Sequence, residues 1–383
     1  MLVRELLDYL DRCYVTHEGK SVSGAITRRH PLQPFSLRNF EAGGPVSFDR
    51  WWLEAARAVL LEKEAAPQPP WPRLKLPEME PEAGNVAPPQ LIGFLSHPSR
   101  GFVRTRLRLY LEDEEWEPDS EPFDLDSLEA YRLQQRLIAD WLARRQTSAE
   151  GLRAEGLLPH GAPGDKIHAD QRRAVEGLVK KLDPLGLRDT SPRFLDVALT
   201  LPGRGGGEWN VQGRIRHLWP GHGLIRFRPA KIKGRDVLGL WIEHLLWIFT
   251  ERGEDERCSR HLGADGDFVL KTAFGPDRAR AFLSDLLALY WEGLHSPLPL
   301  FEGASWAWAS SRFGQRNDDE KAMTAARQAW QGNGHRKIPG DRDDPYVQLL
   351  IRGTSGEPLT TPGFTELAAR LYRPVFEHRE RLA

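Results

Sequence analysis

The residues of this chain best suited to chemistry by type and spacing are arginines. Arg214 and Arg216 alternate with Ile215, and Arg226 and Arg228 alternate with Phe227, on either side of Pro220-Gly221-His222-Gly223. Period-two alternation predicts two short strands, and the Pro-Gly-His-Gly stretch predicts the turn between them. Side chains two apart on a strand share a face, so Arg226 and Arg228 point one way while Ile225 and Phe227 point the other. A guanidinium is planar, permanently protonated and equipped with donors only. It binds phosphate or carboxylate and repels a metal ion. Between Arg204 and Arg235 the chain also carries Lys231 and Lys233, against a single acid, Glu208. Such a basic ridge suits a nucleic-acid backbone, each contact adding affinity through counterion release without reading sequence. The competing expectation is internal. Arg226 and Arg228 pair with acids such as Glu243 or Asp236 and fill a polar cleft.

The segment from Arg193 to Ile215 predicts a β-hairpin. Its tip is Pro202-Gly203-Arg204-Gly205-Gly206-Gly207, where four glycines supply the positive φ angles that chain reversal needs. Leu201, Pro202 and Trp209 flank that tip with apolar or flat groups, and Arg204 adds a charge. A thin protrusion with an aromatic wedge beside arginines suits parting a duplex and stacking on its last base pair. A plain exposed hairpin and a protein contact are the other readings. The candidate DNA-contacting residues are therefore Arg204, Trp209, Arg214, Arg216, Arg226, Arg228 and Lys231.

The ribbon from Gly213 to Lys231 resembles the active-site ribbon of helicase-associated exonucleases, which have the restriction-endonuclease-like or PD-(D/E)xK fold. The resemblance implies Gly-x-x-Asp on the first strand and Asp-x-Lys on the second, with the carboxylates holding magnesium. The matching positions here are Arg216, Arg226 and Arg228. Mg²⁺ requires hard anionic oxygens in an octahedral array, which three guanidiniums cannot supply. Gly164-Asp165-Lys166-Ile167-His168 fits the upstream Gly-x-x-x-His that the resemblance implies. On the helix after the second strand, Glu243-x-x-x-Trp247 stands where Gln-x-x-x-Tyr is implied. His168 is thus the one ligand-type residue that keeps its place, and a lone histidine is more often a surface or core residue. The expectation is an α/β, restriction-endonuclease-like fold that is catalytically inactive, with no metal and no cofactor. An active nuclease of the same fold would have to draw its carboxylates from Asp196, Glu208 or Glu243.

Four phrases, His30-Pro31-Leu32-Gln33-Pro34-Phe35, Phe94-Leu95-Ser96-His97-Pro98-Ser99-Arg100, Glu121-Pro122-Phe123-Asp124-Leu125-Asp126 and Leu158-Pro159-His160-Gly161, are together similar to the C-terminal region of the RecC family. These are the gamma subunits of exodeoxyribonuclease V, the RecBCD helicase–nuclease. The resemblance runs from the first helix to near the C-terminus. It implies RecB-type and RecD-type subunits as partners, and DNA as a duplex end and unwound single strands. It also implies a non-catalytic scaffold in double-strand break repair, with the duplex split on a pin in the nuclease-like domain. A purely protein-binding adaptor is the alternative of a different class. Because that family's subunit is far longer, the chain is expected to be an excised C-terminal fragment without the helicase-like domains.

Composition bounds these readings. The 383 residues are 40% hydrophobic and 28% charged, ordinary values for a globular chain. A net charge of −1 does not advertise nucleic acid for the chain as a whole. Two cysteines, Cys13 and Cys258, cannot build a disulfide framework or a zinc site, and a cytoplasmic location is expected. No apolar run approaches a membrane span, and no Gly-x-x-x-x-Gly-Lys motif supplies an ATPase motor. The acidic run from Glu112 to Asp126 is expected as a solvated loop or a contact to a basic partner. Among thirteen tryptophans, Trp51-Trp52 and Trp306-x-Trp308 are candidates for interfaces as well as for core.

These residues need elements to position them. An amphipathic helix is expected over Leu2 to Tyr14, and a second, capped by Ser47, carries Trp51 and Trp52. The proline-rich passage Pro67 to Pro89 reads as an extended linker, dividing residues 1–88 from a nuclease-like domain at 89–383. A helix pair broken at His97-Pro98 then leads into a strand at Leu107 to Leu111. Asp126 caps a helix over Ser127 to Arg145, and Pro163 to Lys181 forms another. Strands follow at Phe194 to Leu201, Gly207 to His217 and Gly223 to Arg228. Helices over Val237 to Thr250 and Pro276 to His295 flank a ribbon near Phe268 to Thr272.

Overall fold

The computed structural model describes residues 2–41, 47–62, 84–111, 124–203, 207–251, 257–272, 274–315, 318–334, 338–354 and 357–380. Most of the proline-rich passage, most of the acidic run, and Arg204, Gly205 and Gly206 of the hairpin tip lie outside them. The chain divides into two compact units, Met1–Pro69 and Pro70–Ala383.

The first unit holds α1 (Leu2–Cys13), α2 (Val22–Ile26) and α3 (Arg50–Glu62). Asp11 on α1 ties down the start of α2, accepting from the Ser21 hydroxyl and the Ser23 amide. Asp49, not Ser47, caps α3: its carboxylate accepts from the Trp51 and Trp52 amides. Ser47 accepts from the Asp49 amide instead, one step further out.

The second unit begins with β1 (Gly84–Val86), a strand of the main sheet that lies ahead of residue 89, where the sequence reading starts that domain. Then come α4 (Pro88–Ser96), α5 (Pro98–Arg106), α6 (Ser127–Leu142), α7 (Ala149–Ala154) and α8 (Gly161–Leu182). The hairpin β2 (Arg193–Pro202) and β3 (Glu208–Trp219) leads to β4 (Gly223–Phe227) and α9 (Gly234–Thr250). After β5 (Arg257–Leu262) and β6 (Asp267–Thr272) come α10 (Pro276–His295), α11 (Glu302–Ala309), α12 (Asp319–Gln331), α13 (Pro345–Ile351) and α14 (Pro362–Glu377).

The sheet is mixed. β2 runs antiparallel to β3 from Arg193↔Leu218 to Pro202↔Glu208 and so fills one edge of β3. The other edge is shared by β1, parallel at Gly84↔Trp209, and β4, antiparallel at Leu218↔Leu224. β4 pairs in parallel with β5, and β5 antiparallel with β6. Val211, Ile215, Leu218, Leu224 and Leu270 join the main core with α4, α9, α10, α11 and α14. Trp219, Ile225 and Leu262 join a second core with α6, α7 and α8. Helices on both faces of a mixed sheet make this an α/β fold.

The expected strand at Leu107 to Leu111 does not form. Leu107 caps α5, Arg108 takes φ 54°, and the Leu111 amide donates to the Tyr346 hydroxyl of α13 at 3.0 Å. A contact 235 residues away thus overrides the local alternation.

Candidate functional site

The clearest polar feature of the interior lies between β4 and α9. On β4, Leu224 belongs to the main core and Ile225 to the second. Arg226 and Arg228 therefore share the α9 side of the sheet, and Phe227 packs on the other. Arg226 Nε lies 3.9 Å from Glu243 Oε2. Arg228 donates to Asp236 Oδ2 at 2.5 Å, and the same oxygen accepts from the Lys233 amide at 2.8 Å. One carboxylate thus caps α9 and neutralises a buried guanidinium. Gly239 makes room for this: a Cβ there would stand 2.2 Å from Arg226 Nη1.

Two histidines that the sequence reading missed complete the cleft. His261 lies beside Arg226 in the β4–β5 register, and Phe268 of β6 lies on its other side. It is 3% exposed, and neither ring nitrogen has a hydrogen-bond partner among the described residues. Burial pulls its imidazole down to about 4; Arg226 and Arg228 add to this and Asp236 opposes it. Burial likewise brings His217 to about 4, with help from Arg226 and Arg216. Burial raises the Glu243 carboxyl against the pull of Arg226. Arg226 Nη1, Arg228 Nε and Glu243 Oε2 also lack hydrogen-bond partners among the described residues. The cleft is polar, desolvated and under-satisfied. Arg216 is exposed on β3, within the register shift that separates Ile215 from Leu218.

The remaining sequence candidates are scattered. Trp247 is buried one turn after Glu243, where its indole donates to Glu251 at 2.8 Å beneath the Arg257 guanidinium. His168 is not assembled with the arginines: the charges acting on it are Arg172, Asp165 and Arg153, all on α7 and α8. Gly-x-x-x-His spacing carried no information about which face of α8 meets the sheet. The carboxylates of an active nuclease are likewise apart. Asp196 pairs with Arg214 at 2.7 Å on the exposed face of the hairpin, Glu208 is exposed at the start of β3, and Glu243 faces Arg226.

The hairpin departs from expectation at its flanks. Leu201 is fully buried, and Trp209, 4% exposed, packs edge-on against Tyr290 and Trp291 of α10. Neither is an exposed wedge; both anchor the base of the hairpin in the core. The Gly203 amide donates to the Gly207 carbonyl at 2.8 Å, closing the described part of the tip, and Pro202 is exposed. The outer face of β2–β3 stays open. There the Arg214 guanidinium lies 5.5 Å from the ring centre of Phe194, Thr200 donates to Asn210, and Gln212 and Arg216 are exposed. Arg216 and Lys231 have no ion-pair partner among the described residues.

Similarity to known proteins covers this part of the chain and extends beyond it. A family model, the RecC C-terminal domain, matches residues 83–313 and so spans the sheet, the arginine cleft, the second core and most of the main one. The chain belongs to the RecC family. Its relatives include the RecBCD enzyme subunit RecC of Escherichia coli, 28% identical over 402 residues that cover 99% of this chain and 34% of the relative. That of Mycolicibacterium smegmatis is 31% identical over 83% of this chain and 29% of the relative. That of Mycobacterium tuberculosis is 28% identical over 97% of this chain and 34% of the relative. This RecC-family chain thus spans about a third of the length of these relatives. Among its described residues no helix is long and apolar enough to cross a membrane.

Proposed function

We propose that this RecC-family chain is a restriction-endonuclease-like scaffold that has lost catalysis and serves a RecBCD-type helicase–nuclease in double-strand break repair. It holds RecB-type and RecD-type subunits and guides DNA, both the duplex end and the unwound strands. The observation that carries this reading is the filling of the β4–α9 cleft by Arg226 and Arg228, paired with Glu243 and Asp236. In an active member of that fold the same ribbon would present carboxylates to a metal ion. Here it presents cations that face acids, an arrangement without a place for Mg²⁺. The exposed Arg214 and Arg216 on the outer face of β2–β3 supply the contact to a strand backbone, and the hairpin tip supplies the pin.

Incubation of the purified chain with single-stranded DNA and Mg²⁺ or Mn²⁺ tests the first half. No cleavage is expected, and digestion abolished by Asp196→Ala or Glu243→Gln would overturn it. Salt-dependent binding of an oligonucleotide, weakened by Arg214→Gln with Arg216→Gln, tests the second half.

A purely protein-binding adaptor is favoured by one specific observation. Arg214, Arg226 and Arg228 are all engaged by internal acids, which leaves Arg216, Lys231, Lys233 and Arg235 as the cations of the ridge without an ion-pair partner among the described residues. The absence of any salt-dependent DNA binding, with retained capture of a partner subunit, would select that reading.

A further inference from the structure

A second concentration of arginines lies on the other side of the sheet, built by α6, α7, α8 and the turns beside them. It lines a cleft of about 620 Å³ with Trp141, Arg144, Arg145, Thr147, Ser148, Arg172, Glu176 and Arg188 among its walls. The volume falls in the range of small-ligand sites. Its charges do not cancel. Arg145 is held by Asp140 at 2.7 Å, and Arg144 by Asp189. The single acid in the wall, Glu176, is taken by Lys180 at 2.9 Å. Arg172 is exposed and has no ion-pair partner among the described residues. Arg188 stacks its guanidinium 4.9 Å from the ring centre of Trp141, and its buried Nε has no hydrogen-bond partner among the described residues.

Two further features mark the cleft as more than a solvated face. Arg144 sits at φ 55°, a conformation that a side-chain-bearing residue adopts at some energetic cost. His168 lies near the Thr147 backbone at the edge of the cleft, and its Nε2 is buried without a hydrogen-bond partner among the described residues. Concave shape, two uncompensated guanidiniums and two orphaned donor or acceptor nitrogens are the components of an anion site. Phosphate matches them by charge and by its ability to take several N–H donors at once.

We propose that this α6–α8 cleft is a phosphate-binding site, with Arg172 and Arg188 as its principal contacts and Trp141 as the flat wall that orients Arg188. The phosphate comes either from a nucleic-acid strand or from a small phosphorylated ligand. The strand source rests on the reading that the chain guides DNA; the small-ligand source does not.

The full 383-residue chain is tested with a labelled 20-nucleotide thymidine strand and, separately, with inorganic pyrophosphate. Arg172→Glu lies on an exposed helical position and is compared with the double variant Arg172→Gln, Arg188→Gln. Unchanged melting without ligand shows that each variant is folded. If the strand occupies the cleft, the double variant should bind roughly 25-fold more weakly at 0.1 M salt. The slope of log affinity against log salt should fall by about 1.4, for two contacts of roughly 0.7 each on single strands. If a small ligand is the source, saturating pyrophosphate should raise the melting temperature of the natural chain by about 4 °C. Arg172→Glu should abolish that rise. Strand binding that is lost with Arg214→Gln and Arg216→Gln but indifferent to Arg172 and Arg188, together with no pyrophosphate effect, overturns the cleft alone. Pyrophosphate stabilisation without strand binding keeps the cleft and removes the DNA-guiding reading. Neither response removes both.

Discussion

At the scale of single residues, the arginine cleft separates charges that hold the fold from charges free to meet a ligand. Arg228 is 8% exposed and its partner Asp236 is nearly as enclosed. Arg228→Ala would leave a desolvated carboxylate unpaired, at a cost of roughly 3 kcal/mol in unfolding free energy by chemical denaturation. Arg214→Ala breaks a solvated pair and should not move the denaturation midpoint resolvably. The buried histidines predict a pH dependence. Burial holds His217 and His261 at about 4 in the folded chain, against about 6.5 when exposed. The unfolded chain therefore binds more protons over this interval. Stability should be fully present above pH 6.5 and decline as pH falls towards 4. Glu243, shifted upward, acts in the opposite sense and tempers the decline. His261→Leu should flatten the acid slope and leave stability at pH 7 unchanged or higher, since it removes two unsatisfied buried nitrogens. Thermal melts between pH 7 and pH 4 check both statements, and an unaltered slope would show that His261 does not titrate with unfolding.

At the scale of elements, the hairpin divides into an anchored base and a tip that adds little to stability. Trp209→Ala should cost about 3–5 kcal/mol, because it empties a site packed by Tyr290 and Trp291. Deleting residues 204–206 should leave the melting curve nearly unchanged, since the strand pairing through Pro202↔Glu208 remains. In an assembled helicase carrying this chain, that deletion should slow duplex unwinding and spare ATP hydrolysis on single-stranded DNA. Undiminished unwinding would place strand separation elsewhere. The elements read from sequence are those with strong local signals. Gly223 to Arg228, Pro276 to His295 and the break at His97-Pro98 all have period, caps or proline to announce them. The cap at Asp126 does too, since its side chain accepts from Leu128 and Glu129. What escaped was decided by distant contacts. Trp209 looks like a wedge beside a glycine-rich tip until α10 arrives across the sheet. Leu107 to Leu111 alternates like a strand but is held by Tyr346. His261 joins the arginines only through β4–β5 pairing, and no motif announces it. Helices α11 to α14 follow the last element the sequence reading defined, although α12 and α14 carry an amphipathic pattern that could have announced them.

At the scale of the whole chain, exposed apolar surface is expected near Trp306-Trp308, along the first helix or near Pro67 to Pro89, and most of the last lies outside the described residues. Trp308 is buried, and Trp306 packs against Tyr372 and Phe376, so that pair belongs to the core. The first unit is different. Leu6 on α1 is 57% exposed, Trp51 on α3 75%, and Leu32 and Phe48 are almost fully open. A unit of this size seldom leaves so many large apolar side chains in water without a surface to cover them. Such side chains call for a protein surface to cover them. The purified chain should therefore bind a hydrophobic dye and self-associate as concentration rises. Changing Leu6→Glu and Trp51→Ser should reduce both, with the melting of the larger unit unchanged, because both positions belong to the first unit. Sedimentation velocity and dye fluorescence across a concentration series decide the matter. A monomer without dye binding, indistinguishable from the double variant, would mean that these side chains are scattered surface residues and not a covered face.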